Sequence, residues 1–565
     1  MFLSSVHYEV FAKRPGGAMN LELTHAREDH AVRVAEEMFA GGEFAGVRVV
    51  RETLDPETGA FRSAVLLKRG DQDEGKARPG AEEMGPACRA PADLYAAASR
   101  AQIARLLEGW LGKVKATPFE LLHRLDLAER LQTTGAEMQH AVQKVAVTQS
   151  LGRGVGVHQM VRTVQQLVDQ AIGRLRADRA AALFPALAPD TFAAVCRDLA
   201  GAADGAYRLA GGVADHLAGG GDWSEKCARL LDLADAAPDE DPARALALQV
   251  LCQPLSEILA AKAATAELLG ADLDLGGQVA AAARLVANEA VEALAQVDPE
   301  AGSLIPPLGP VAQRLAERLA LPGYEDIRGA VVRRLLQALT TPRRLRPSDP
   351  AEEVELARAL GFALSAADPR VLPAEEVRAA IIERSRLMVG QDFLEAFLRA
   401  ERPAMQEAFD LARLLDNLAG AANRTQAVRW IQATISSPRF DAELTSGPDS
   451  ASTRLLMLAR LHRMLARSRH DAGGVEPLLE RLGEMGDRLE ASKGLVRQLS
   501  RAQIALPHRL GALLRMAAGE TAPPGPAAER AKAEAKRLLA APDAMAELGR
   551  DPGALRQLRE LMAEL

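Results

Sequence analysis

The sequence predicts a mainly α-helical protein: a small N-terminal β-β-α-β-β (α+β) module, then a large multi-helix bundle or irregular α-solenoid-like body. Two observations lead to this prediction. Apolar residues make up 48% of the chain and aromatic residues only 4%, and the apolar share is rich in Ala and Leu, which favour helices over strands. The period-two alternation that is typical of strands is confined to the N-terminal region.

The N-terminal module is predicted to span residues 5–69. Apolar residues there alternate with their neighbours in short runs, a spacing that turns one side of a strand towards a core. The helix between the two pairs of strands is expected to stop at Gly41-Gly42, and residues 55–59 have the composition of a hairpin loop. The predicted elements are strands near 6–11, 19–24, 46–54 and 61–68, with a helix around 26–40.

Most of the remaining chain reads as one helix after another. Thr117-Pro118-Phe119-Glu120 has the sequence of a capping box with Pro at the first helical position. No repeat of roughly 34–47 residues is sustained, so a bundle and a solenoid are equal alternatives for the body. The predicted parts are a linker at 70–92, a helical body of two or three subdomains at 93–516, a Pro/Gly linker at 517–527 and a helical tail at 528–565.

Composition limits the classes of function. The formal net charge of −7 argues against a nucleic-acid or acidic-membrane role for the chain as a whole. The four cysteines lie at long, irregular intervals, so they indicate neither a zinc site nor a disulfide framework, and they fit a reducing compartment. No signal-peptide core and no run of about 18 apolar residues is found. We therefore expect a cytoplasmic protein without membrane insertion, and the excess of Arg over Lys is typical of a GC-rich bacterial genome.

The motifs that resemble chemical sites have simpler explanations. His25 and His30 lie five residues apart, a spacing that does not place two zinc ligands on one helix face. Gly152, Gly154 and Gly156 resemble part of a dinucleotide-binding loop, but no strand precedes them. The sequence therefore predicts no catalytic residue, no metal ligand and no cofactor.

A basic helix face near 454–470 is the candidate interaction surface. Arg460, Arg463, Arg467 and His470 recur every three or four residues, while Leu458, Leu461 and Leu465 fall on the opposite side. Such a face suits an acidic partner or a nucleic acid. An ordinary amphipathic helix with its arginines in water is the simpler alternative.

The C-terminal residues form a candidate docking helix. Asp551-Pro552 is a good helix start, and Leu555, Leu558, Met562 and Leu565 then form an apolar stripe. Because a lone helix of about 15 residues is marginal in water, the stripe must be buried. Folding back onto the body and binding in a partner's groove are the two alternatives.

These observations favour a non-enzymatic scaffold or adaptor that binds protein partners of unknown identity on its helical surfaces. The alternative is an enzyme or small-molecule sensor with a pocket between helices. The third hypothesis is nucleic-acid binding through the basic face, which the scarcity of stacking aromatics disfavours. The sequence does not predict an oligomeric state.

Overall fold

The computed structural model describes residues 6–13, 19–54, 61–70, 88–153, 156–270, 272–398, 402–468, 474–548, 550 and 552–563. Contacts within the chain define two compact units. The first comprises Met1–Trp110 and Arg124–Ala182, and the second comprises Leu111–His123 and Leu183–Leu565.

The first unit begins with a four-stranded antiparallel sheet in the order β2-β1-β3-β4. Two hairpins meet through β1 and β3, and helix α1 lies across one face of the sheet. The mainly helical fold with a small N-terminal β-β-α-β-β module is therefore confirmed. The elements are β1 (Val6–Lys13), β2 (Met19–His25), α1 (Glu28–Ala40), β3 (Gly46–Leu54) and β4 (Phe61–Gly70).

Apolar residues at every second position of β1 and β3 form the core of this module. Val10 pairs directly with Val49 across the two strands, and both side chains are fully buried. From α1, Ala31 and Ala35 face them and are also fully buried. Because alanine side chains are short, α1 approaches the sheet closely while larger residues at its margins cover the core.

The described elements that follow the sheet are helices. After a 3₁₀ turn at Pro91–Tyr95 come α2 (Ala97–Leu106), α3 (Glu108–Val114), α4 (Pro118–His123), α5 (Leu125–Thr134), α6 (Ala136–Arg153) and α7 (Val157–Ala180). The next helices are α8 (Pro189–Leu199), α9 (Gly205–Ala218), α10 (Trp223–Asp235), α11 (Ala243–Ala260), α12 (Lys262–Leu269), α13 (Leu275–Val297), α14 (Pro299–Ser303), α15 (Pro310–Leu319), α16 (Glu325–Thr340), α17 (Pro350–Ala366) and α18 (Ala374–Met388). The last are α19 (Gln391–Leu398), α20 (Ala404–Asn417), α21 (Ala421–Ile435), α22 (Pro438–Ser446), α23 (Ala451–Arg467), α24 (Val475–Lys493), α25 (Leu495–Arg501), α26 (Leu506–Ala517), α27 (Pro526–Leu539), α28 (Ala544–Leu548) and α29 (Pro552–Ala563).

The second unit contains three hydrophobic clusters that follow the chain. The first is built from α4, α8–α13, α15 and α16, the second from α13, α14 and α16–α18, and the third from α17–α29. Leu and Ala supply most of the buried side chains, as the composition predicts. None of the helices in the described parts of the chain is both long and apolar enough to cross a bilayer.

Helix starts in the second unit are capped by side chains, as the sequence predicts for α4. The Thr117 hydroxyl accepts a hydrogen bond from the Glu120 amide at 3.2 Å, and the Glu120 carboxylate accepts one from the Thr117 amide at 3.0 Å. These reciprocal bonds are a capping box. In the same way the Asp349 carboxylate accepts from the amides of Ala351 and Glu352, both at 3.0 Å, at the start of α17.

One helix end is capped by an arginine from a distant helix. Arg384 of α18 is buried, and its guanidinium donates to the carbonyl oxygens of Leu339 at 2.8 Å and Thr341 at 2.9 Å. It also lies 3.5 Å from the buried Glu353 carboxylate. A positive charge at the carbonyl end of α16 complements the helix dipole and satisfies its terminal acceptors.

Pro523 and Pro524, in the segment 517–527, pack tightly against α24. A Cβ added at Gly483 would lie 2.7 Å from the Pro524 carbonyl oxygen, and one added at Gly486 would lie 2.5 Å from the Pro523 ring. Ala522 in the same segment is fully buried. The two glycines on one face of α24 therefore allow this Pro-rich segment to contact the helix backbone.

Glu534 links α27 to α25 and should make stability depend on pH. Its carboxylate accepts hydrogen bonds from Arg537 at 2.6 Å and from the Ser500 hydroxyl. These bonds, Arg537 first, lower the pKa of Glu534 to about 2, from an ordinary value of 4.5. A lowered carboxyl pKa adds stability above the ordinary value, and that stability is lost as the pH falls from about 4.5 to about 2.

We expect Glu534→Gln to reduce the free energy of unfolding at pH 7 by about 1–2 kcal/mol, less than the full shift implies because Arg537 is largely exposed. Urea unfolding followed by circular dichroism measures it. The difference from the wild type should shrink below pH 4.5, and Glu480→Gln, at an exposed position in α24, is the control. A difference that stays constant down to pH 2.5 would contradict the assigned carboxylate interactions.

Candidate interaction groove

The basic face predicted near 454–470 lies on α23. Ser450 caps the start of this helix, where its hydroxyl accepts a hydrogen bond from the Thr453 amide at 3.1 Å. Leu458, Leu461 and Leu465 on the inner side are fully buried in the third hydrophobic cluster. The arginines on the opposite side are exposed, in the arrangement that the amphipathic pattern predicts.

Two helices form a groove at this face. Helix α20 packs beside α23, and the space between their outer sides has a volume of about 460 Å³. Three of the predicted residues line it, together with apolar and basic side chains that the sequence did not indicate. The lining residues are Gln406, Phe409 and Arg413 from α20 and Met457, Arg460, Arg463, Met464 and Arg467 from α23.

The groove carries uncompensated positive charge. Within the described part of the chain, Arg460, Arg463 and Arg467 have no carboxylate within 4.0 Å. Arg413 has one, the Asp410 carboxylate at 3.8 Å, but Asp410 also pairs with Arg402. Four guanidinium groups around one depression create a local field that attracts anions, because each adds to the potential of the others.

The floor and walls of the groove are partly apolar. Phe409, Met457 and Met464 are half-buried and pack against the third hydrophobic cluster, so part of each side chain faces the groove. Methionine side chains are flexible and polarisable, which suits a surface that must adapt to a partner. A ligand with both carboxylates and apolar side chains would therefore be complementary to both parts of the lining.

The remaining member of the predicted face, His470, lies outside the described residues. Two residues earlier in the chain, the Ser468 hydroxyl donates a hydrogen bond to the Asp416 carboxylate, which fixes the end of α23 against α20. His462, on the same helix, is half-buried, and burial lowers its pKa. It is therefore neutral at pH 7, and the positive charge of the groove comes from arginine.

Arg413 and Phe409 could not be identified from the sequence as parts of this site. They lie on α20, and only the packing of α20 against α23 brings them to the arginines. Their local pattern is that of any amphipathic helix. Arg413 also lines a second cavity of about 600 Å³, whose other walls include acidic residues such as Glu352 and Glu355.

The two histidines near the N-terminus converge in the structure. The ring centroids of His25 and His30 lie 4.1 Å apart. The Nδ1 atom of His25 accepts from the Arg27 amide at 3.1 Å, and that of His30 accepts from Arg33 at 2.9 Å. The pair of rings therefore joins the end of β2 to the start of α1, and each Nδ1 atom already has a contact within the module.

The described residues contain no cluster of metal-ligating side chains, and burial makes three of the cysteine thiols less acidic. Among them, no three His, Cys, Asp or Glu side chains converge on one point. Burial raises the pKa of the Cys196 and Cys227 thiols to about 12 and that of Cys252 to about 11. These thiols stay protonated at neutral pH, when only the thiolate is a nucleophile.

The candidate docking helix, α29, lies on the third hydrophobic cluster. Leu558 is almost fully buried, and Leu555 packs partly buried beside it. Met562 is about half exposed, and Leu565 lies outside the described residues. The middle of the apolar stripe, at Leu555 and Leu558, thus packs on the helical body, whereas Met562 faces solvent.

Comparison with known proteins gives no further guide to this site. The chain matches no protein-family model, no curated protein and no solved structure.

Proposed function

We propose that the chain is a non-enzymatic scaffold or adaptor that binds an acidic segment of a protein partner in the groove between α20 and α23. The observation that carries this proposal is the set of three exposed arginines, Arg460, Arg463 and Arg467, which have no carboxylate partner among the described residues and lie beside half-buried Phe and Met side chains. Unpaired arginines attract carboxylates, and the apolar lining adds area that a partner can bury.

The lining favours an acidic peptide over a nucleic acid. Phe409 is the one aromatic side chain among the lining residues, whereas single-stranded nucleic acids are bound on several stacking aromatics. The net charge of −7 also opposes long-range attraction of a polyanion. An amphipathic helix with Asp or Glu flanking a Leu or Phe would contact both the arginines and the apolar floor.

A cytoplasmic location in a bacterial cell is part of this proposal. It is supported by the thiols of Cys196, Cys227 and Cys252, which are not joined in disulfides, because such thiols persist in reducing compartments. The excess of Arg over Lys in the chain supports a GC-rich genome.

The test is charge reversal in the full-length protein. We expect Arg460→Glu, Arg463→Glu and Arg467→Glu together to change the free energy of unfolding by no more than about 1 kcal/mol, because exposed charges contribute little. The same variant should lose at least tenfold in affinity for a helical peptide that carries four Glu residues around two Leu residues, measured by fluorescence anisotropy. Salt should weaken the wild-type binding.

The control variant reverses the charge of three arginines that lie outside the groove. Arg429, Arg497 and Arg515 are exposed, and none lines the groove, so their reversal to Glu should leave peptide binding nearly unchanged. Equal losses in both triple variants would mean that only net charge matters and would contradict the groove. Tighter binding of a 20-nucleotide single-stranded DNA than of the peptide would support the nucleic-acid hypothesis instead.

A further inference from the structure

A small cavity lies far along the chain from the groove, between α12, α13 and α16 and beside the end of α11. Its volume is about 150 Å³. Nine of its twelve lining residues are apolar, and Val279, Leu285 and Leu335 are almost fully buried. The lining residues are Leu259, Thr265, Leu269, Leu275, Gln278, Val279, Ala282, Leu285, Val331, Arg334, Leu335 and Ala338.

One positive charge lies at the rim of this cavity. Arg334 lines the cavity and is exposed to solvent, and one of its guanidinium nitrogens donates to the Leu259 carbonyl oxygen. Partial burial lowers the pKa of Arg334, and among the described residues no acidic neighbour counters this effect. Gln278, also exposed, is a second polar side chain of the lining. The cavity therefore has an apolar interior and a polar rim with a single cation.

We propose that this cavity binds a short-chain aliphatic carboxylate, with its hydrocarbon tail between Val279, Leu285 and Leu335 and its carboxylate against Arg334. A guanidinium has two N–H groups that match the two oxygens of a carboxylate, and one of its nitrogens is already oriented by the Leu259 carbonyl. The site goes beyond the proposed scaffold function, because it involves none of the groove residues.

The size of the cavity selects the length of the tail. Apolar cavities of about 150 Å³ accept a six-carbon ring, so a tail of about six carbons fills this one. Inorganic phosphate would leave the apolar walls uncovered, and an alcohol of equal length would leave Arg334 without a counter-ion. Both are therefore weaker ligands than hexanoate.

The first measurement is a chain-length series with the full-length wild-type protein. Isothermal titration with butanoate, pentanoate, hexanoate, octanoate and decanoate should show affinity rising about fourfold for each added methylene up to hexanoate. Beyond about six carbons the affinity should level off, because further methylenes leave the cavity. A rise that continues to decanoate would overturn the assignment to this cavity and indicate a site for long acyl chains.

The second measurement locates the ligand. Arg334→Gln should weaken hexanoate binding about tenfold or more and leave the weaker binding of 1-hexanol unchanged. Arg333→Gln, at an exposed neighbour outside the cavity lining, is the matched control and should bind both ligands as the wild type does. Ala282→Phe should abolish binding of both ligands by filling the cavity, with circular dichroism showing that the variant folds.

Either of two results would overturn the proposal. One is the absence of binding at 20 mM hexanoate to the wild type. The other is equal weakening of hexanoate by Arg333→Gln and Arg334→Gln, which would indicate attraction by surface charge alone. The triple reversal in the groove should leave hexanoate binding unchanged, so failure of one proposal does not imply failure of the other.

Discussion

Lys226→Met should destabilise the protein by about 3–5 kcal/mol, because it leaves a buried carboxylate without its counter-charge. The Lys226 ammonium lies 2.6 Å from the Glu120 carboxylate, and both side chains are almost completely buried in the second unit. The ammonium also donates to the Lys115 carbonyl oxygen. Without the ammonium, the Glu120 carboxylate would stay buried after losing its ion pair, and a buried charge in that position costs free energy.

Urea unfolding at pH 7, followed by circular dichroism, measures this loss. Lys115→Met is the control: Lys115 pairs with Glu267 at 3.0 Å but is substantially exposed, so its loss should cost about 1 kcal/mol or less. Glu120→Gln combined with Lys226→Met should recover part of the stability, because no uncompensated charge is then buried. If Lys226→Met and Lys115→Met destabilise equally, the buried pair has no special role.

This ion pair shows which interactions a sequence reveals. The bonds between Thr117 and Glu120 could be predicted because a capping box is local and its spacing is fixed by helix geometry. Lys226 could not, because it is far from Glu120 in the chain and only the packing of α4 and α10 into one core brings them together. A lysine in an amphipathic helix is normally expected to face water.

The N-terminal module was predictable for a similar reason. Its strands are short and connected in sequence, so alternation and turn residues nearly determine the pairing of β1 with β2 and of β3 with β4. The predicted strand near 46–54 matches β3, Gly46–Leu54. Strands β1 and β3 are distant in the chain. They pair because both bury their apolar residues against α1, and no local sequence signal predicts that pairing.

Sequence analysis could predict only one side of the candidate groove. The arginines of α23 repeat along one helix, so their common face could be predicted. Phe409 and Arg413 complete the groove from α20. Likewise, Arg334 lies at the apolar cavity only because three helices pack together there. The predicted boundaries of the linkers and of the helical body stay predictions, as does the choice between a bundle and a solenoid.

Deletion of residues 528–565 should lower the free energy of unfolding by several kcal/mol and expose an apolar patch. The reason is the amount of apolar surface that the tail buries on the third hydrophobic cluster. Polar contacts add to it: the Glu547 carboxylate accepts from the Leu506 amide at 2.8 Å, and Arg530 donates to Glu490 at 2.9 Å. The buried tail residues that belong to this cluster are Ala531, Ala535, Ala544, Leu548 and Leu558.

Two point variants in the full-length chain separate docking of the tail from a general effect of truncation. Leu558→Ala removes a side chain of α29 that is almost fully buried and should cost about 2–4 kcal/mol, because it leaves a cavity against α26. Met562→Ala, at the half-exposed end of the same helix, should cost about 0.5 kcal/mol or less. Differential scanning calorimetry gives both values, and binding of a hydrophobic dye reports the exposed patch in the deletion variant. An unchanged melting temperature in the deletion variant, together with loss of a co-purifying protein, would mean that the apolar stripe serves a partner and not the body.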